Sequence, residues 1–225
     1  MQDRSIPDTG PHGNGAFVKS EVDEERFLAV LDALLSALAA ADVVFAFIGG
    51  IASAVHGRPR PTLDLDVLVR PEDVDPVMDQ LRSAGFETQP TFPHWLHKAR
   101  LDGVVTDVIF CSTGDLYLDE EMTRRRQHRE FMDRTIPVVA PEDIVVMKAL
   151  AHSEATPRYW YDGLSILARN ELDWAYLLRR ARHGPRRVLS FLLFARSTGL
   201  IIPMRTTDAL RALLDTGSLA DAAAE

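Results

Sequence analysis

The segment Leu63–Val69 constrains the fold of this chain more than any other part of the sequence. Its side chains alternate, with Asp64 and Asp66 on one face of an extended strand and Leu65 and Val67 on the other. Such a strand covers an apolar core with one face and presents two neighbouring carboxylates on the other. Like charges at that spacing repel each other, and a divalent cation such as Mg²⁺ relieves the repulsion by binding carboxylate oxygens. The alternation therefore predicts a sheet that carries a candidate metal site.

A third acid supports that interpretation over a simpler one. An isolated Asp-x-Asp pair is ordinarily two exposed acids, neutralised by solvent or here by the nearby Arg58 and Arg60. Asp107, however, lies in the middle of a second apolar strand, where a charge is costly unless it is paired or binds a metal. Three acids on two strands are what a two-metal phosphoryl-transfer site needs. We therefore expect the three carboxylates of Asp64, Asp66 and Asp107 to share one site.

Composition limits the class of protein. The 225 residues are 46% hydrophobic and 26% charged, which is typical of a globular protein and excludes a disordered chain. The longest apolar stretch, residues 37–51, is interrupted by Asp42 and is shorter than the roughly 18 apolar residues of a membrane-spanning helix. The first residues are polar and the single Cys111 allows no internal disulfide, so we expect a cytoplasmic protein without a membrane partner. A net charge of −8 argues against non-specific coating of nucleic acid but permits a local basic groove.

Hydrophobic periodicity predicts a mixed α/β (α+β) half followed by a helical half. Asp73 is the expected N-terminal cap of the third helix, and residues 119–134 form a charged segment without a predicted element. The predicted ranges are a helix at 23–40, a strand at 43–48, a helix at 51–55, a strand at 63–69, a helix at 74–84, a hairpin at 95–101 and 104–110, a strand at 135–139, and helices at 141–152, 159–169, 173–182, 187–196 and 206–214. The domains follow as a disordered leader at 1–20, a core at 21–140, a helical region at 141–216 and a flexible tail at 217–225.

A glycine pair, Gly49 and Gly50, ends the first predicted strand and begins the short helix after it. The exposed N–H groups of such a turn, together with the positive end of the helix dipole, suit phosphate oxygens. Most glycine pairs are only turns. This pair is informative because the two acids follow on the next strand.

The order of these features resembles the nucleotidyltransferase superfamily typified by DNA polymerase β. The resemblance rests on residues 47–52, which hold the glycine pair, and on residues 62–67, which hold the acid-x-acid strand. It continues through residues 136–143, Lys148 and residues 160–162, which are similar to bacterial AbiEii-type and related nucleotidyltransferases. The chain departs from the pattern in two respects. The spacer from Gly50 to Asp64 is 13 residues, at the long end of the range, and Gly50 stands where many members have serine.

The resemblance implies a nucleotidyltransferase core with a mixed sheet, followed by a C-terminal helical bundle. It implies Mg²⁺-dependent transfer of a nucleoside monophosphate from an NTP to an acceptor. Two Mg²⁺ ions are expected, held by Asp64 and Asp66, with Asp107 binding the ion that activates the acceptor.

The same resemblance implies a nucleotide-binding set. These candidates are Gly49, Gly50, Arg60, Thr62, Lys148 and Asp162. Lys148 would neutralise phosphate charge, although from the residues alone a lysine with a packed stem in an apolar helix is the simpler interpretation. Arg60 could meet either phosphates or the nearby acids, and Asp162 would orient Lys148 or an arginine.

The acceptor implied by the toxin relatives is a tRNA end, with a cognate antitoxin as a partner. The basic cluster at residues 124–126 is expected to pair with nearby acids. Residues 179–187 hold five arginines and no acid, which favours them as an RNA contact. A small hydroxylated acceptor, as in antibiotic-inactivating nucleotidyltransferases, and a catalytically idle nucleotide-binding module are the alternatives.

Overall fold

The computed structural model describes residues 23–216. The predicted disordered leader at 1–20 and the predicted flexible tail at 217–225 therefore lie outside the described residues. Within the described part the mixed α/β prediction is confirmed. The boundary predicted at residue 140, between the core and the helical region, stays a prediction.

A mixed sheet forms the centre of the molecule, with its strands in the order β3-β4-β5-β2-β1-β7-β6. Two neighbouring pairs, β2 with β5 and β1 with β7, run parallel, and the other neighbours run antiparallel. The strands are β1 (Phe45–Phe47), β2 (Asp64–Val69), β3 (Glu87–Phe92), β4 (Leu96–Leu101), β5 (Val104–Ile109), β6 (Gln127–Phe131) and β7 (Arg134–Val138).

Helices flank the sheet and then form a bundle. They are α1 (Glu24–Ala40), α2 (Gly49–His56), α3 (Val74–Ser83), α4 (Glu120–Arg125), α5 (Pro141–Ala151), α6 (Arg158–Leu167), α7 (Trp174–Ala181), α8 (Pro185–Ser197) and α9 (Met204–Thr216). The first helix packs against α3 and β5, while α5 packs against α2, α6, α7 and α8. Helix α5 thereby joins the sheet side to the bundle. No helix among residues 23–216 is both long and apolar enough to cross a membrane.

The first helix shows how the sequence fixes these elements. Its N-terminal cap is Asp23, whose side chain accepts a hydrogen bond from the backbone N–H of Arg26. Residues at helical spacing, among them Leu31, Leu34 and Leu38, are fully buried in the common core. Local capping and the apolar stripe therefore agree, and the helix forms where periodicity predicts it.

Two regions differ from the sequence prediction. Strand β3 was not predicted, because Pro90 interrupts its pattern; it lies at the edge of the sheet, where a missing N–H is tolerated. The charged segment at 119–134 forms α4 and β6 rather than a connection. The remaining predicted elements are present, with ends shifted by a few residues.

Asp73 occupies the N-terminal cap position of α3, as predicted, but it does not cap the helix with its side chain. It belongs to a short 3₁₀ turn, Pro71–Asp73, and its side chain accepts no capping hydrogen bond. Its backbone is already helical, with φ −92° and ψ −5°, whereas a capping residue is extended. The proline that opens the turn starts the helical conformation earlier than periodicity suggests.

Candidate active site

The sheet places three charged side chains in one row. In the parallel pair of β2 and β5, Asp66 lies opposite Asp107. In the antiparallel pair of β4 and β5, Lys98 lies opposite Asp107. Opposed residues project from the same face, so two carboxylates and an ammonium group stand side by side. Asp64 lies two residues before Asp66 on the same strand face, so the sheet brings all three predicted acids together.

Lys98 forms an ion pair with Asp107 in this row. Its Nζ lies 2.7 Å from Oδ1 of Asp107, and the two side chains are 22% and 20% exposed. Burial and the negative charge of Asp66 raise the pKa of Asp107 to about 6, and the Lys98 charge opposes that shift. Burial also raises the pKa of Asp66, while the N–H of Gly50 and the charge of Lys148 lower it. Because burial disfavours the charged form of these carboxylates, further positive charge would stabilise them.

The glycine turn contacts the acids directly. The backbone N–H of Gly50 donates a hydrogen bond of 3.2 Å to Oδ2 of Asp66 at the start of α2. Gly49 has φ +58°, and a Cβ added there would lie 1.8 Å from the same carboxylate oxygen. A side chain at Gly50 would meet Thr62, whose Oγ1 would be 2.3 Å from the added Cβ. Both glycines are therefore required by the close approach of the turn to β2.

A second charged group lies where α5 meets α6. Lys148 is buried, with its Nζ 3.3 Å from Oδ2 of Asp162. Arg60 donates to both carboxylate oxygens of Asp162, at 3.1 and 3.0 Å. Asp162 thus contacts both Lys148 and the arginine of the loop before β2. Burial lowers the pKa of Lys148, and the charges of Asp162 and Asp66 oppose that shift.

Tyr159 completes this group from α6. Its ring centroid lies 4.3 Å from Nζ of Lys148, which is a cation–π distance. Burial and the charge of Asp66 raise the pKa of Tyr159. Thr62 donates from Oγ1 to the backbone carbonyl of Asp64 at 3.3 Å. Of the predicted nucleotide-binding residues, Gly50 and Thr62 therefore contact Asp66 and Asp64, while Arg60, Lys148 and Asp162 contact one another.

Two residues of this site, Lys98 and Tyr159, were not predicted from the sequence. The sequence contains a signal for Lys98 but none for Tyr159. The hairpin turn Asp102-Gly103 sets Leu101 opposite Val104, and counting back along both strands places Lys98 opposite Asp107. Sequence alone could therefore have found Lys98. Tyr159 has no such signal, because its position depends on how α6 packs on α5.

The two arginine clusters behave differently from each other. Arg124 and Arg125 pair with Glu120 and Glu121 on their own helix, as predicted, whereas Arg126 donates to the backbone carbonyl of Phe45. Fewer arginines of the second cluster are available to contact RNA than its sequence suggests. Arg179 pairs with Glu121 on α4. Arg180 pairs with Asp143 on α5 and with Asp119, the N-terminal cap of α4. Three further arginines of this cluster, Arg182, Arg186 and Arg187, are exposed.

The residues present include oxygen donors of the kind that Mg²⁺ binds. Mg²⁺ commonly binds through one or two carboxylates and completes its octahedron with substrate phosphates and water. Asp64 and Asp66 on one strand face, beside the glycine turn, fit that pattern. No group of three His, Cys, Asp or Glu side chains within residues 23–216 is arranged to hold a metal by itself. The ammonium group of Lys98 already contacts the third acid, Asp107.

Comparison with known proteins identifies the family of the chain. A search of curated proteins finds no match. Among solved structures, a nucleotidyltransferase-like protein from Paracoccidioides brasiliensis is 15% identical, with a TM-score of 0.50 over 89% of this chain and 93% of that one. The antibiotic-resistance factor ANT(2″)-Ia is 12% identical, with a TM-score of 0.49 over 86% and 93%. The nucleotidyltransferase toxin MenT4 from Mycobacterium tuberculosis is 22% identical, with a TM-score of 0.38 over 68% and 61%. The model of a family described as uncharacterised nucleotidyltransferases matches residues 12–196, and the chain belongs to that family.

Proposed function

We propose that this nucleotidyltransferase uses Mg²⁺ to transfer a nucleoside monophosphate from an NTP to a hydroxyl group at a tRNA end. One observation carries the chemical part of the proposal. The N–H of Gly50 donates to Asp66 at 3.2 Å, so the turn proposed to bind phosphate and the carboxylate proposed to bind the metal are in direct contact. A triphosphate on the turn would place its phosphates beside the acids.

Asp64 and Asp66 would hold the metal ion. The bound Mg²⁺ would supply positive charge to the triphosphate where negative charge develops during transfer. The acceptor oxygen would attack the α-phosphorus in line, so that an oxygen–phosphorus bond forms, the bond to the leaving pyrophosphate breaks, and the proton of the acceptor hydroxyl passes to water. Asp107 stands on the side of the row away from the glycine turn, so the acceptor hydroxyl would approach there.

The remaining residues would bind and orient the triphosphate. Gly49 and Gly50 lie at the start of α2, where the helix dipole favours negative charge, and a bound phosphate would share the N–H of Gly50 with Asp66. Lys148 would neutralise the charge that builds up on pyrophosphate as it leaves. Asp162 fixes Lys148 and Arg60 through ion pairs of 3.3 and 3.0 Å. Thr62 would add a hydroxyl contact next to the turn.

The tRNA acceptor rests on the resemblance to toxin relatives and on one basic surface. Arg182, Arg186 and Arg187, which follow the paired Arg179 and Arg180 in the sequence, are exposed. Arg187 donates to the carbonyl of His152, which ends α5, the helix that carries Lys148. This surface therefore lies near the same end of α5 as the nucleotide-binding lysine. A cytoplasmic location and a cognate antitoxin partner belong to the same proposal.

Label transfer tests the acceptor. The protein is incubated with Mg²⁺ and each α-³²P-labelled NTP, with either total tRNA or a pool of hydroxylated small molecules. Label in tRNA, with binding that weakens steeply as salt rises, is the expected result. Label in the small molecules would keep the transfer chemistry and replace the acceptor. Label in neither pool would contradict the proposal and favour a nucleotide-binding module.

A further inference from the structure

The Lys98–Asp107 pair occupies the place where a second metal ion would bind. In a two-metal site the third acid helps to hold the ion on the acceptor side. Here Oδ1 of that acid lies 2.7 Å from the ammonium nitrogen of Lys98. Mg²⁺ binds a carboxylate oxygen at about 2.1 Å, so an ion on that oxygen would lie within about 5 Å of the ammonium nitrogen. Like charges so close and partly screened from water repel each other strongly.

The backbone holds Lys98 in this position. Residues 98 and 107 are directly opposed in an antiparallel pair whose register is continuous from Leu96 to Leu101. Both side chains are about four-fifths buried, which leaves the lysine little room to swing into solvent. The ion pair is therefore a consequence of sheet register rather than of a mobile surface side chain.

The charges around the row also indicate that Lys98 occupies the place of a second metal ion. Asp66 contacts the N–H of Gly50 and lies within electrostatic reach of Lys148, so its side of the row faces the triphosphate site. Within residues 23–216, Lys98 is the only cationic side chain that forms an ion pair with Asp107. A fixed positive charge thus already stands on the acceptor side of the site.

We propose that Lys98 takes the place of the acceptor-side metal ion, so that the enzyme works with one divalent ion, held by Asp64 and Asp66. The ammonium group then orients Asp107 and supplies positive charge to the acceptor oxygen as it approaches. This inference rests on the proposed function, because it assumes that the first metal binds at Asp64 and Asp66.

Counting bound metal tests the proposal without turnover. Mn²⁺ replaces Mg²⁺, and inorganic tripolyphosphate presents a triphosphate chain without requiring the unknown base. Equilibrium dialysis gives the number of Mn²⁺ ions per protein, and electron paramagnetic resonance detects coupling between two neighbouring ions. Wild type should bind one ion without a coupled signal. Lys98→Met, which keeps an unbranched stem but removes the charge, should bind two ions with a coupled signal.

Three further variants control the experiment. Lys98→Gln repeats the neutral substitution in case the methionine variant fails to fold, and Lys98→Arg should keep a single ion because it keeps the charge. Lys98→Met combined with Asp107→Asn should return to one ion, since the second site loses its carboxylate. Circular dichroism establishes that each protein is folded.

Each outcome has a distinct meaning. A coupled pair of ions in wild type, or one ion in both neutral variants, would overturn the role of Lys98 and leave the proposed function intact. No bound Mn²⁺ in any variant would overturn the metal site at Asp64 and Asp66, and the role of Lys98 with it.

Discussion

Thr62 fills the space that a side chain on residue 50 would need. A Cβ added to Gly50 would lie 2.3 Å from Oγ1 of Thr62 and 3.0 Å from its Cβ. This contact explains why glycine stands where many members of the superfamily have serine. The serine hydroxyl and the threonine cannot share the space, and the threonine hydroxyl stands beside the turn instead.

Gly50→Ser should therefore reduce kcat/KM, because the added side chain pushes α2 away from β2 and displaces the phosphate-binding N–H groups. Displacements of about 1 Å at such sites cost about 100-fold in rate. Thr62→Ala in the same protein should restore much of the loss, since it removes the closest atom. Steady-state kinetics of the two single variants and the double variant measure the coupling. If the losses in kcat/KM of the two single variants simply add in the double variant, the two residues do not compete for space.

Lys148→Met should lower kcat/KM by about 100-fold, because the charge that develops on the leaving pyrophosphate loses its buried counter-charge. Asp162→Asn should have a smaller effect, since Lys148 and Arg60 remain but lose the carboxylate that they share. The exposed Arg169→Met, which removes a positive charge outside the site, is the matched control. A control variant as impaired as Lys148→Met would mean that net charge, rather than position, matters.

Buried polar groups also join α7 to α5. Arg180 on α7 is 3% exposed, and its Nε lies 2.9 Å from Oδ1 of Asp143 on α5. Tyr176 donates to the same carboxylate at 2.8 Å. Arg180→Met should lower the free energy of unfolding by about 3 to 5 kcal/mol, because it leaves a buried carboxylate without its partner. Urea denaturation measures this, and the exposed Arg182→Met should change it little. A small change for Arg180→Met would contradict the structural role of the pair.

His56 should make the protein less stable in mild acid. Burial, followed by the charge of Arg129, lowers the pKa of His56, whose Nε2 donates to the carbonyl of Val139 at 2.7 Å. Below about pH 6.5 the unfolded chain binds a proton at this histidine that the folded protein does not, so stability falls as pH falls. His56→Gln should flatten the dependence between pH 7 and 5 by up to about 1.4 kcal/mol per pH unit. The exposed His128→Gln should leave the slope unchanged. An unchanged slope in His56→Gln would show that the histidine is protonated in the folded protein.

Sequence predicted those parts of the site that depend on local pattern. Alternation placed Asp64 and Asp66 on one face, and the glycine pair marked the start of α2. Asp107 was predicted because a charge in the middle of an apolar strand needs a partner, whereas Lys98 follows only from counting the register back along the hairpin of β4 and β5.

Other features depend on tertiary packing, which periodicity does not encode. Strand β3 forms because β4 offers it a partner, although Pro90 weakens its own preference. Arg180 sits in an acid-free stretch of sequence, yet its partners Asp119 and Asp143 are 61 and 37 residues away along the chain. Clusters of charge in sequence therefore say little about which charges remain free in the fold.

The carboxylate pair on β2 carries the central claim, and one comparison tests it most directly. Transfer of label from α-³²P-NTP in the presence of Mg²⁺ is measured for wild type, Asp66→Asn and Asp75→Asn, the last an exposed aspartate on α3. The account predicts that Asp66→Asn abolishes transfer while remaining folded, and that Asp75→Asn behaves as wild type. Transfer by folded Asp66→Asn at the wild-type rate would contradict the account.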